Sequence, residues 1–136
     1  MKLSPRLYFS GQCREAFEFY ERCLGGKIQM MLTYGDSPAA QQVPPHWREK
    51  IIHATLVIGE SILYGEDAVP EKYQAAQGFQ LTIGLHDPAE VERVFKALSE
   101  NGKVMMPPQK TFWSLSFGVL VDQFGISWEV NCQQPS

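Results

Sequence analysis

One pattern occurs twice in this chain and constrains its fold more than any other feature. Leu3 to Phe9 reads as a strand. A helix from about Gln12 to Leu24 follows, with Ala16, Phe17, Tyr20 and Leu24 at helical spacing. Gly25-Gly26 ends it, and Lys27-Ile28 opens a strand. The same grammar returns later. Phe79 to Leu85 reads as a strand, and a helix from about Pro88 to Glu100 places Val91, Val94, Phe95 and Leu98 on one face. Asn101-Gly102 stops it and Lys103-Val104 opens another strand. Asp87 is a good N-cap with Pro88 in the tolerated first turn, and glycine after each helix suits a left-handed C-cap. Two more strand signals close each half: Lys50 to Ile58 and Ser61 to Gly65 across Gly59-Glu60, then Thr111 to Val121 and Ile126 to Gln133 across Asp122-Gln123-Phe124-Gly125. Each half therefore reads βαβββ. The expected fold is α+β: a single domain of two modules, about 3–65 and 79–133, joined by a linker at about 66–78. The modules are expected to form a curved mixed sheet around a cavity, with the helices on the outer face. The irregular stretches Tyr34 to Glu49 and Glu66 to Gly78 read as binding loops or solvated connections.

Composition bounds the function. The chain has 136 residues, of which 44% are hydrophobic, enough to bury roughly two thirds of the unfolded surface without a metal or disulfide staple. Twelve basic and fifteen acidic residues give a net charge of −3. No basic cluster exists, so nucleic acid and anionic membrane are not expected partners. No apolar run is long enough to span a bilayer, and the first residues do not make a secretory signal. Cys13, Cys23 and Cys132 form no CxxC pair, so buried structural thiols in a reduced, cytoplasmic protein are the expectation. His46 and His86 read as surface residues.

Strand alternation then sorts the side chains. Leu7 and Phe9 oppose Arg6 and Tyr8. Ile52, Ala54, Leu56 and Ile58 oppose His53 and Thr55, with Ile62 and Tyr64 joining the second side. Phe79, Leu81, Ile83 and Leu85 oppose Gln80 and Thr82, and Ile126, Trp128 and Val130 oppose Ser127, Glu129 and Asn131. Ser114 and Ser116 fall on the polar side of the strand that starts at Thr111. One face thus collects an arginine, a histidine, tyrosines, amides and a carboxylate. Convergent polar groups of that kind describe a small-molecule site better than a plain solvated face. Phe112 and Trp113 lie near its mouth, where one can touch a ligand.

The paired βαβββ modules, the run Asp122-Gln123-Phe124-Gly125-Ile126-Ser127-Trp128-Glu129-Val130-Asn131, and Glu18-Phe19-Tyr20 before Gly25-Gly26 resemble the vicinal-oxygen-chelate superfamily of glyoxalases, bleomycin-resistance proteins and extradiol dioxygenases. Ser4-Pro5, His53-Ala54 running to Ile58-Gly59, Thr111-Phe112-Trp113 and Phe117-Gly118 resemble its PhnB-like branch. In metal-dependent members the ligands come from the first and last strands of both modules. Carried over strand by strand, that rule picks Glu129, Gln80, Tyr64 (with Ile62 beside it) and Ser4 or Arg6, so two of the four positions hold ligand-type residues. Recruiting His53 gives His53, Gln80 and Glu129 as a three-ligand set for a divalent ion.

The resemblance implies a small-molecule ligand held by Arg6, Tyr8, His53, Tyr64, Gln80, Trp113 and Asn131, in a homodimer that covers open sheet edges. Two readings of the chemistry stay open. One is binding alone, with an incomplete metal site. The other is a metal-dependent lyase or isomerase that stabilises an enolate or oxyanion. Glu129 is the candidate catalytic base, with or without the ion. A ubiquinone-methyltransferase label also attaches to this branch. The sequence has no strand followed by a glycine-rich turn opening a helix, so no nucleotide-like cofactor is expected.

Overall fold

The computed structural model describes residues 1–133. The chain divides into two compact units, Met1–Ala75 and one that begins at Ala76. The first runs β1 (Arg6–Phe9), α1 (Cys13–Leu24), β2 (Lys27–Thr33), β3 (Ile51–Ile58) and β4 (Ser61–Asp67). The second runs β5 (Leu81–Leu85), α2 (Pro88–Leu98), β6 (Lys103–Gln109), β7 (Phe117–Val121) and β8 (Ser127–Cys132). Each unit is one four-stranded mixed sheet, in the order β1-β4-β3-β2 or β5-β8-β7-β6. In each, the first strand pairs parallel with the last, and the other neighbours are antiparallel. This is the expected α+β arrangement of two βαβββ modules.

In each unit the helix covers one face of its own sheet. Leu7, Phe9, Ala54 and Leu56 are buried there with Ala16, Phe17 and Tyr20 of α1. In the second unit Leu120, Trp128 and Val130 are buried with Val91, Val94, Phe95 and Leu98 of α2. Close approach of helix and sheet needs a gap in the sheet's side chains. Gly65 supplies it under Phe17, and Gly118 under Phe95.

Local signals act where expected, with informative shifts. Asp87 caps α2 by accepting from the Ala89 amide at 3.0 Å. Gly25 takes the left-handed conformation after α1, but after α2 it is Asn101, at φ 57°, that does so. Asparagine tolerates that region because its short amide can bond locally. The first strand starts at Arg6 rather than Leu3, which is exposed. Phe79 is 49% exposed and Gln80 also precedes β5, so neither belongs to the strand assigned to it. Thr111 to Ser116 is a loop, and β7 begins only at Phe117. Ser114 is fully buried in that loop, its hydroxyl bonded to the Ser116 and Cys132 carbonyls, and Ser116 is buried too. Both are structural, not exposed on a polar face. Conversely, Glu66 and Asp67 belong to β4 rather than to a linker. Pro107 and Pro108 sit in β6, an edge strand whose pairing slips at Met106, so the missing amides cost no ladder bond in mid-sheet.

Candidate functional site

The face of the first sheet turned away from α1 carries a connected polar cluster. Register places Arg6 beside Tyr64, Tyr64 beside Thr55, and Tyr8 beside Glu66. The Arg6 Nη2 donates to His53 Nδ1 at 2.9 Å, and the other His53 nitrogen, Nε2, bonds Thr55 Oγ1 at 3.1 Å. Arginine has only donors, so Nδ1 must be the acceptor. The neutral ring therefore carries its proton on Nε2 and donates to threonine. Arg6 also lies 5.8 Å from the centre of the Tyr64 ring and 3.6 Å from Glu66 Oε1, while the His53 and Tyr64 rings stand 5.6 Å apart. Burial pushes the Glu66 carboxyl above its ordinary value, and the positive charge of Arg6 pulls it back only in part. Tyr8 is half exposed at the edge of this cluster. Arg6, His53 and Tyr64 thus come together as expected. Glu66 is the member that sequence reasoning missed. Carrying the β4 alternation two residues past Tyr64 would have found it.

The corresponding face of the second sheet pairs Thr82 with Glu129 and Gly84 with Asn131. The Thr82 hydroxyl donates to Glu129 Oε1 at 2.6 Å. Asn131 Oδ1 is buried and has no hydrogen-bond partner among the described residues. Its neighbour across the ladder is Phe117, whose ring lies 5.3 Å from that of Trp113, itself 4.6 Å from Phe112. Trp113 is half exposed and Phe112 almost wholly so. The result is a carboxylate with one oxygen bonded, an orphaned amide oxygen and an aromatic wall. Gln80 is exposed just before β5 and outside this ladder.

A metal does not fit at His53. Both ring nitrogens are engaged, and a guanidinium stands at hydrogen-bond distance where a cation would have to approach. His53 lies in the first unit, Gln80 and Glu129 in the second. Among the described residues, no group of three or more His, Cys, Asp and Glu side chains gathers in a way that could hold an ion. No helix among them is long and apolar enough to cross a membrane.

Comparison with known proteins places this geometry. The family model described as 3-demethylubiquinone-9 3-methyltransferase matches residues 1–131. Protein YjdN of Escherichia coli (strain K12) is 34% identical over 146 aligned positions, covering 100% of this chain and 99% of its own. The crystal structure of protein PA1353 from Pseudomonas aeruginosa is similar at 43% identity and a TM-score of 0.90, covering 99% of each chain. A Bacillus cereus structure described as a putative 3-demethylubiquinone-9 3-methyltransferase, PhnB protein, is 25% identical with a TM-score of 0.81, over 96% of this chain and 98% of that one. At 14% identity and a TM-score of 0.68, over 96% of this chain and 98% of that one, the fold alone extends to a glyoxalase/bleomycin resistance protein/dioxygenase family enzyme of Burkholderia phytofirmans PsJN. A model match across nearly the whole chain, with relatives that align along their full length, means that this chain belongs to the PhnB-like family described as 3-demethylubiquinone-9 3-methyltransferase.

Proposed function

We propose that the protein binds a small organic molecule on the face of its second sheet turned away from α2, without a metal at His53. The orphaned Asn131 oxygen carries this reading. A buried acceptor without a donor costs about 1–3 kcal/mol; the oxygen is closed to solvent here, and turning the amide outward beside Phe117 lets a ligand N–H or O–H recover that cost. Glu129, on the same face two residues earlier, stands roughly 7 Å away along the strand. Thr82 bonds only its Oε1, which leaves Oε2 to accept from a ligand or to take its proton as a general base. A ligand with two hydrogen-bond donors on a planar skeleton suits this pair and the aromatic wall.

In the first unit Arg6, held by His53 and stacked on Tyr64, offers a fixed cation for a carboxylate or enolate oxygen, with Tyr8 beside it. In the second unit Gln80 is an exposed amide just before β5. Methyl transfer with a nucleotide-like donor is not part of the proposal. The Gly11 and Cys13 amides at the start of α1, the natural anion cradle after β1, already bond the Asp67 carboxylate. We further propose a homodimer, which light scattering tests directly.

A thermal-shift screen of hydroxylated aromatic acids and ketones tests the binding reading. Hits should raise Tm in the parent protein. Glu129→Gln and Asn131→Leu should each reduce that shift while leaving the ligand-free circular dichroism intact. Hits whose shift is unchanged in both variants would refute the assignment. Elemental analysis should find no stoichiometric divalent metal, and chelator should leave Tm unmoved. A stoichiometric metal lost on Glu129→Ala would restore the lyase or isomerase reading.

A further inference from the structure

A cavity lies wholly within the first unit, lined by none of the residues of the sheet faces described above. It is a cleft of about 620 Å³ at the end of the sheet where α1 begins, between that helix, the end of β2 and the start of β3. This volume falls within the range of ordinary small-molecule pockets. Arg14, Arg48 and Lys50 line it together with Glu15, Asp36 and Glu49. Among the described residues, no ion pair joins any of these six.

Two of the cations are held in place by neutral partners. Arg48 Nε donates to the Ala40 carbonyl at 3.1 Å and its Nη2 to Gln41 Oε1 at 3.4 Å, while Lys50 Nζ donates to the Gly11 carbonyl at 3.0 Å. Their charges are oriented but not neutralised by these bonds. A fourth acid, Asp67, also lines the cleft and keeps its charge, but it is buried and both its oxygens accept backbone amides (Gly11, Cys13 and Ile51), so it offers a ligand no free oxygen. The charged groups with atoms left to contact a ligand number three of each sign. A simple anion entering the cleft would meet as much repulsion as attraction, and so would a simple cation. A molecule carrying both charges gains from both sets.

We infer that this cleft binds a zwitterionic small molecule, an amino acid or other amine-bearing acid, with its acid group toward Arg14, Arg48 and Lys50 and its ammonium toward Glu15, Asp36 and Glu49. The site is separate from the sheet faces, so its failure would leave the function proposed above untouched.

Amide chemical-shift titration of the full chain tests it. The probes are glycine, β-alanine, γ-aminobutyrate and 6-aminohexanoate, each set against the carboxylate and the amine of matched carbon skeleton. At least one zwitterion should give saturable shifts centred on residues 11–15, 33–36 and 48–51, with affinity about tenfold above both single-charge controls. Arg48→Gln should weaken it by about tenfold, as loss of one oriented charge contact implies. Arg48 also anchors the loop at Ala40, so Arg14→Gln, at an exposed position, is the second variant and should weaken binding while leaving Tm unchanged. No zwitterion binding above its controls, shifts scattered elsewhere, or affinity indifferent to both variants would overturn the inference.

Discussion

Among single residues, Asp67 bears the greatest structural load. Its buried carboxylate takes the Gly11 and Cys13 amides on Oδ1 and the Ile51 amide on Oδ2, so it caps α1 from a strand and ties β4 to the start of β3. Gln12, the residue in the N-cap position, makes no side-chain cap of its own. Asp67→Ala should therefore cost about 3–5 kcal/mol in urea unfolding, because two buried amides and one part-buried amide lose their acceptor. Asp67→Asn keeps one acceptor oxygen and should cost less. Nothing local in the sequence announces this role, since the partners are some 16 to 56 positions away. Tyr34 donates to the Asp67 carbonyl at 2.6 Å from a buried position. Burial, then the nearby Glu66 and Asp67 charges, holds its phenol above the ordinary value of 10.0. The folded state keeps that proton longer than the unfolded chain. Its contribution to stability is thus present below about pH 10 and lost as pH rises through the raised value. Ultraviolet titration should show a late-ionising tyrosine phase, and Tyr34→Phe should reduce its amplitude by one tyrosine. Cys13 beside Asp67 is fully buried, and burial pushes its thiol far up, in keeping with a structural rather than a reactive cysteine.

At the scale of elements, both helix–sheet contacts depend on a glycine below an aromatic ring. A Cβ at Gly65 would meet the Phe17 ring at 2.5–2.6 Å, and one at Gly118 would meet Phe95 at 2.7 Å. Gly65→Ala and Gly118→Ala should each destabilise by about 1–3 kcal/mol through overpacking, read as a lower urea midpoint at unchanged slope. Elements with strong local signals stand where the sequence puts them. Helix α2, with Asp87-Pro88 at its start and a single apolar stripe, begins as expected, and the turns at Gly59 and Gly125 take positive φ as their glycines suggest. Alternation also gave the right parity for Arg6, His53, Tyr64, Thr82 and Glu129, whose polar contacts all lie on the faces away from the helices. It failed where a strand's length was at stake. Ser114 and Thr82 look alike in an alternating string, yet Ser114 lies in a loop because its hydroxyl is bonded to the Cys132 carbonyl in β8, far along the chain. The cleft between Arg14 and Lys50 was illegible for a similar reason. Its walls come from segments that only the pairing of β2 with β3 and the docking of α1 bring together.

At the scale of the whole chain, the repeated grammar yields two units with the same strand order, each with its own core. Between them residues 70–80 form neither helix nor strand and are mostly exposed. Limited trypsin digestion should therefore cut early at Lys72, giving fragments 1–72 and 73–136 by mass spectrometry. By itself the sequence determined the class, the two βαβββ modules and the family. Those rest on local periodicity, caps and turns, which each segment expresses without reference to distant partners. The tertiary structure alone decided how far each strand runs, that His53 spends both nitrogens on Arg6 and Thr55, that Asn131 is left without a donor, and that a charged cleft opens beside α1. Such facts depend on which side chain meets which across tens of residues. Hydrogen bonding and burial fix that only once the chain has closed on itself.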